Sequence, residues 1–153
     1  MINHLHLLSG VAALMLCSSV LSAISNHEIN CGVGTLVNDT FTVTETTTDI
    51  PFITRQNNPN YAFGCAVKYR HGEFSLRSSI TVPNPNPTTL TTNAYISTQS
   101  RKDKIILESE EIIFDDTGYV GLQLDNSDHT GIYKIEVFVN NKLSRTVMFN
   151  VYK

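Results

Sequence analysis

The sequence predicts an all-β protein, a single antiparallel immunoglobulin-like β-sandwich of about eight strands, and three observations carry that reading. Apolar and polar side chains alternate through nearly the whole chain after residue 24, the period of two that a strand's opposite faces impose. Turn-forming residues break the alternation about every eight to twelve positions, the rhythm of a sandwich or barrel. Two cysteines, Cys31 and Cys65, lie in alternating segments behind an apolar leader. In an exported chain such a pair reads as a disulfide, with two buried free thiols as the alternative.

The leader comes first in the chain. Val11-Ala12-Ala13-Leu14-Met15-Leu16 is an apolar core, small residues follow to Ser25, and no Asp, Glu, Lys or Arg precedes Glu28. An apolar core followed by a small-residue exit is the layout of a secretory signal peptide. Residues 1–23 are read as that signal and residues 24–153 as the sandwich domain, with cleavage after Ser22, Ala23 or Ser25. A lipid anchor on Cys17 is disfavoured because Leu16, rather than a small residue, precedes it. An uncleaved anchor over Leu5 to Ile24 would have a usual span length, but Ser9, Gly10, Ser18, Ser19 and Ser22 interrupt it.

Cleavage leaves about 130 residues, a usual size for one domain. All 11 basic and 14 acidic residues lie beyond the leader, so the net charge stays at −3. That balance argues against the basic stripe of a nucleic-acid-binding surface, and no nucleic-acid partner is expected. No second apolar run reaches membrane length, so the mature chain is expected to carry no membrane span and to be periplasmic or secreted. Closing the Cys31–Cys65 loop should stabilise the fold by about 3–4 kcal/mol on the chain-entropy model.

The elements follow in order. Cys31 shares a strand face with Val33 and Val37. Phe41 and Val43 alternate with Thr40, Thr42 and Thr44, which reads as an edge strand with a polar outer face. From Tyr61 to Tyr69 the bulky face is Tyr61, Phe63, Cys65, Val67 and Tyr69, so the Cys65 sulfur points into the core. His71-Gly72 reads as a tight hairpin turn, and Phe74, Leu76, Ile80 and Val82 form the buried face of the next strand. Pro83-Asn84-Pro85-Asn86-Pro87 suits an extended loop. The segment from Lys104 to Phe114 has features of both strand and helix, and its β-branched cluster favours strand. Asp115-Asp116-Thr117-Gly118 reads as a turn into a short strand from Tyr119 to Leu124.

Tyr133 follows a turn at the start of a strand, the position of a sandwich tyrosine corner, in which the hydroxyl bonds back to the preceding backbone. The last hairpin is the clearest element. Tyr133, Ile135, Val137 and Val139 make one apolar face, Leu143, Val147, Phe149 and Val151 the other. Asn140-Asn141 between them suits the positive-φ turn of a two-residue hairpin.

Two stretches carry a family likeness. One is Thr48-Asp49-Ile50-Pro51 with Tyr61-Ala62-Phe63-Gly64, the following strand and Pro83 to Pro87. The other is Gly131-Ile132-Tyr133-Lys134-Ile135-Glu136-Val137 with its return to Phe149-Asn150-Val151. Together they resemble a family of short, uncharacterised bacterial domains with a β-sandwich fold. The resemblance implies the fold and carries no functional residue across; the export signal and the cysteine pair are candidate departures from it.

No motif supports a cofactor. Glu108, Glu110, Glu111, Asp115 and Asp116 are the densest charge cluster, but a calcium site needs six to eight oxygen ligands at ordered spacing, and a solvated face is the simpler reading. Asp125-Asn126-Ser127-Asp128 reads as a turn. His27, His71 and His129 are scattered, and no pair has metal-ligand spacing. Thr46-Thr47-Thr48 and Thr88-Thr89-Leu90-Thr91-Thr92 are loops of the kind that carry recognition on a rigid sandwich. Asn38-Asp39-Thr40 matches a glycosylation acceptor. The expectation is a non-enzymatic module that binds a protein or glycan ligand, or associates with the envelope. The alternative is a small hydrolase or self-processing protein using the carboxylates of Asp115, Asp116, Asp125 and Asp128.

Overall fold

The computed structural model describes residues 25–83, 95–101 and 104–153. Nine strands lie among them: β1 (His27–Val37), β2 (Thr40–Glu45), β3 (Asp49–Pro51), β4 (Tyr61–Pro83), β5 (Tyr95–Arg101), β6 (Lys104–Ser109), β7 (Ile112–Leu122), β8 (Gly131–Val139) and β9 (Lys142–Tyr152). The segment from Lys104 to Phe114 is extended, as its isoleucines suggest, and breaks between β6 and β7. The signal segment 1–23, residues 84–87 of the proline stretch and the second threonine run lie outside the described residues.

β4 organises the molecule. Its first half pairs with β1 on one edge and β7 on the other. Its second half pairs with β8 on one edge and with β6 on the other. The path β2-β1-β4-β8-β9-β3 therefore runs through a single shared strand, and the sheet folds over on itself along β4 to make the two layers.

This corrects the reading of His71-Gly72 as a hairpin turn. The chain continues through both residues as one 23-residue strand. The signal was real but meant a bulge: Gly72 has φ of 81°, and the β4–β7 register shifts between Lys68 and Glu73. A positive φ costs glycine little, and the extra residues bend and twist the strand without ending it. The partner strand bends at the same level. Asp116 has φ of 59°, and Asp115 to Gly118 is a kink inside β7 rather than a turn before it.

Alternation places the core. Val33 opposes Phe63, and Ile29 opposes Val67, on the inner face of β1 and β4. Phe63 packs edge-on against Tyr133 of β8 at 5.7 Å and Phe149 of β9 at 5.2 Å between ring centroids. These contacts join the layers, and Phe63, Ile80, Ile135 and Phe149 have no exposed area. Burying an aromatic side chain of this kind stabilises a fold by about 1.5–3 kcal/mol.

Cys31 and Cys65 are joined, with Cα atoms 4.0 Å apart. They are direct register partners on neighbouring strands. The bridge therefore links β1 to β4 within one layer. It does not span the layers as the inter-sheet disulfide of antibody domains does.

The C-terminal hairpin forms as its alternation predicts, with Asn140 at φ 50° and Asn141 at φ 62°. Leu143 departs from the reading. A register shift beside Val137 pairs it with Phe138, which turns Leu143 outward, and it is 55% exposed. Val37 is likewise outward at the end of β1. The Tyr133 hydroxyl donates to the His129 carbonyl at 2.7 Å, the tyrosine corner that the sequence position suggests. The strand pairs are antiparallel with one exception among the named strands: β3 runs parallel to β9, from Asp49 opposite Asn150 to Pro51 opposite Tyr152.

Candidate functional site

A concave surface lies on the outer side of the disulfide-bonded layer. It exists because one row of that layer carries almost no side chain. On the face opposite Cys31 and Cys65, β1 presents Gly32 and Gly34 while β4 presents Ala62, Gly64 and Ala66. A side chain at Gly32 would strike the Glu45 carbonyl, and one at Gly34 would strike that of Thr42. Both glycines thus let β2 curl over β1 toward the far side of the layer. β2 brings Phe41, 5% exposed, to 6.2 Å from the Tyr119 ring of β7.

Between the curled β2 and β7 is a trough of about 520 Å³. Phe41 and Tyr119 form its aromatic wall, and Asn30, Asp39, Lys68 and Thr117 supply polar groups around it. A neighbouring hollow of about 340 Å³ shares Asp39, Phe114 and Tyr119 and reaches Arg77 and Ser109. Glu28 and Lys68 face each other across β1 and β4, so the rim carries both charge signs. Burial, reinforced by the Asp39 carboxylate, holds the Tyr119 hydroxyl above its ordinary phenol value. A phenol is protonated at neutral pH with or without that shift, so the hydroxyl is available there as a donor.

The carboxylates named from sequence are not gathered into one site. Asp115 opposes Glu73 at the β4–β7 kink. Asp125 and Asp128 sit beyond the other end of β7. The Asp125 carboxylate accepts from Gln56 Nε2 and from Arg55 Nε at 3.1 Å, and pairs with Arg55 Nη2 at 2.6 Å. The Gln56 hydrogen bond and the Arg55 charge pull its pKa below the usual carboxylate range. Asp128 is displaced the other way. Burial pushes its pKa up although its Oδ2 accepts from the Asp125 backbone N–H at 2.6 Å. These bonds close a turn and fasten it to the segment around Thr54, which bridges Leu124.

Among the described residues, no three His, Cys, Asp or Glu side chains cluster closely enough to hold a metal ion. His27 opposes Tyr69 in the β1–β4 ladder, and His129 contributes its carbonyl to the tyrosine corner. Thr46 donates to Asn30 Oδ1 at 3.2 Å, and the Thr48 carbonyl accepts from the Asn150 N–H at 2.8 Å; that loop guides the chain into β3. Asn38-Asp39, matched to a glycosylation acceptor, is the positive-φ turn between β1 and β2.

Sequence reasoning missed the trough. Its signal was the row of glycines and alanines on the face opposite the core, recognisable as close backbone approach.

The fold and this surface can be set beside known proteins. The model of the PM0630 beta sandwich domain matches residues 34–152. The chain belongs to that family. The family stretch holds Cys65 but begins after Cys31, so one half of the disulfide lies outside it. β2 and β7, the two sides of the trough, fall within the PM0630 match, and β1 enters it only from Gly34. An immunoglobulin-like protein from Pseudomonas aeruginosa, known from a crystal structure, is similar at 16% identity with a TM-score of 0.47, over 82% of this chain and 92% of that one. No curated protein matches the chain. No helix among the described residues is long and apolar enough to cross a membrane.

Proposed function

We propose that this chain is an exported, non-enzymatic binding module that works in the periplasm or outside the cell, with residues 1–23 removed as a signal peptide and residues 24–153 forming the working domain. The observation that carries the binding reading is the trough between β2 and β7, with its Phe41–Tyr119 wall. Binding sites combine a concave apolar surface with a few directed polar groups. Aromatic faces flanked by amide, hydroxyl and charged groups suit a protein segment or a glycan. The export reading draws support from the buried Cys31–Cys65 bridge, since disulfides persist in oxidising compartments.

A glycan array and a displayed peptide library, each probed with wild-type protein and with Tyr119→Ala and Lys68→Glu variants, test the trough. The expected result is a reproducible ligand class whose binding falls at least about tenfold, or about 1.4 kcal/mol, in variants that keep the wild-type melting profile. Ligands that bind the variants equally would move the site elsewhere. Amino-terminal sequencing of the exported protein is expected to find a start between residues 23 and 26; a start at Met1 or Cys17 would overturn the compartment reading.

One observation favours a second reading, a small hydrolase or self-processing protein. Asp125 and Asp128 are neighbours whose pKa values are driven apart, as in acid–base pairs. The Gln56 and Arg55 contacts that lower Asp125 and the burial that raises Asp128 both belong to a closed turn, so binding is the preferred reading. Turnover on a hydrolase panel, or chain cleavage during incubation that Asp125→Asn or Asp128→Asn abolishes, would reverse the preference.

A further inference from the structure

We propose that the open margin of β7, from Thr117 to Gly121, takes an extended segment of a partner protein as an added strand. The segment carries apolar side chains and at least one Lys or Arg. This rests on the reading of the chain as a binding module and names its ligand as a peptide.

The ladder fixes which backbone groups are free. In an antiparallel pair, rungs that exchange two backbone hydrogen bonds alternate with closer rungs that exchange none, at about 5.5 and 4.5 Å between Cα atoms. Cys31 and Cys65 oppose each other at 4.0 Å, so theirs is a rung of the second kind. The same register carried outward agrees. Arg70 N–H donates to the Asn26 carbonyl at 3.0 Å, and Leu36 N–H to the Asn60 carbonyl at 2.8 Å. Even-numbered residues in this half of β4 therefore turn their N–H and C=O groups to β1. Phe63, Cys65 and Val67 turn theirs to β7, where the partners are Leu122, Val120 and Gly118. The residues between those partners point the other way. Thr117, Tyr119 and Gly121 thus aim their N–H and C=O groups at a side of β7 that no described strand occupies. An added strand satisfies such alternate pairs with its own main chain, which a glycan lacks.

This margin is also undefended. Exposed edges are commonly blunted by Lys or Pro. The open part of β9 carries Lys142 and Arg145, whereas Thr117 to Leu122 carries no charge and no proline. The hollow of about 340 Å³ takes Leu76 and Val120 from the core face and Tyr119 and Gly121 from the outer one. It therefore lies along the margin itself. A paired segment would set one side chain beside Val120 and the next beside Tyr119, the alternation of a strand.

Charge sets the rest. From Ile105 to Asp128 the chain has no Lys or Arg, and Asp115 and Asp116 stand exposed where the margin begins. The nearby cations are already engaged. Lys68, opposite Thr117, has Glu28 on its other side, and the Arg77 guanidinium lies over the Phe138 ring at 4.0 Å. A basic side chain on the added strand is attracted here and an acidic one repelled.

Selection of random displayed peptides on the oxidised protein tests this. Enriched peptides should carry Lys or Arg, and a synthetic copy of the strongest should slow hydrogen exchange at the Tyr119 and Gly121 amides. Gly121→Pro removes one margin N–H and leaves the bonds of Val120 and Leu122 to β4 in place. A Cβ at that position meets nothing closer than 3.6 Å. The variant should bind the synthetic peptide at least about tenfold more weakly, while Gly121→Ala, which keeps the N–H, binds as wild type does. Methylating alternate backbone nitrogens of the peptide gives the same contrast without altering the protein: one set of positions abolishes binding and the other spares it. A peptide that tolerates both changes, or binds while those amides exchange freely, overturns strand addition; if Tyr119→Ala still releases it, the trough reading stands. A selection that yields no peptide also overturns the proposal. Protection of the same amides by raising protein concentration alone would replace the partner with a second copy of this chain.

Discussion

The two ends of the chain build their halves of the sandwich by different means. The β8–β9 hairpin is held by side chains: Tyr133, Ile135, Val137, Val147 and Phe149 alternate inward and are all buried. The β1–β2 end is held by backbone proximity and a covalent link. Gly32 and Gly34 admit β2, and Cys31 is bonded to Cys65. A layer floored by glycine and alanine buries little apolar area on its outer side, so hydrophobic burial contributes less there. What that layer gains is concavity. The half with the weaker packing carries the trough, and the disulfide offsets part of the difference.

The largest effect is expected where the hairpin meets the other layer. Phe149→Ala should cost about 3–5 kcal/mol, the usual loss for an aromatic removed from a core. Met148→Ala, one residue away and 59% exposed, should stay within about 0.5 kcal/mol. Urea unfolding of both variants measures the contrast; equal losses would show that burial does not govern this half.

Removal of the bridge by Cys31→Ala with Cys65→Ala should cost about 2–5 kcal/mol. The reduced wild-type protein should lose a similar amount. A loss below about 0.5 kcal/mol would remove the covalent link from the comparison.

Gly34→Ala places a methyl group against the Thr42 carbonyl. Overpacking of this kind costs about 1–3 kcal/mol. The change should displace β2 and quench the Phe41–Tyr119 contact, seen as altered aromatic NMR shifts, while β8–β9 amide shifts stay fixed.

A smaller effect is expected at the tyrosine corner. Tyr133→Phe removes the hydrogen bond to the His129 carbonyl and should cost about 0.5–1.5 kcal/mol. Acid sensitivity sharpens the loop that joins the halves. The Asp125 pKa is depressed, chiefly by Gln56, so its contribution is present above the ordinary carboxyl value of about 3.9 and is lost as pH falls through the folded value. Asp125→Asn should flatten that part of the stability profile in acid denaturation.

Legibility in the sequence follows the same division. Strict alternation with Asn140-Asn141 at its centre specifies the hairpin locally, and the tyrosine corner needs only four residues of context. The kink at His71-Gly72 was not legible in the same way. A glycine with positive φ serves a turn and a bulge equally, and the choice rests on β1, β7 and β8, which flank β4 from distant parts of the chain. Leu143 misleads for a related reason, because one shifted position in the β8–β9 register reverses the face of every residue before it. The trough is further removed still, since small residues on an outer face announce close approach without naming the strand that arrives.

Native-state hydrogen exchange of the oxidised and reduced protein tests the difference between the halves most directly. Reduction is predicted to lower protection of the β1 and β2 amides well beyond any change in β8 and β9, because the bridge restrains the first pair and side-chain burial secures the second. Equal loss of protection in all four strands would contradict the account, showing one cooperative unit in which the disulfide supports both halves alike.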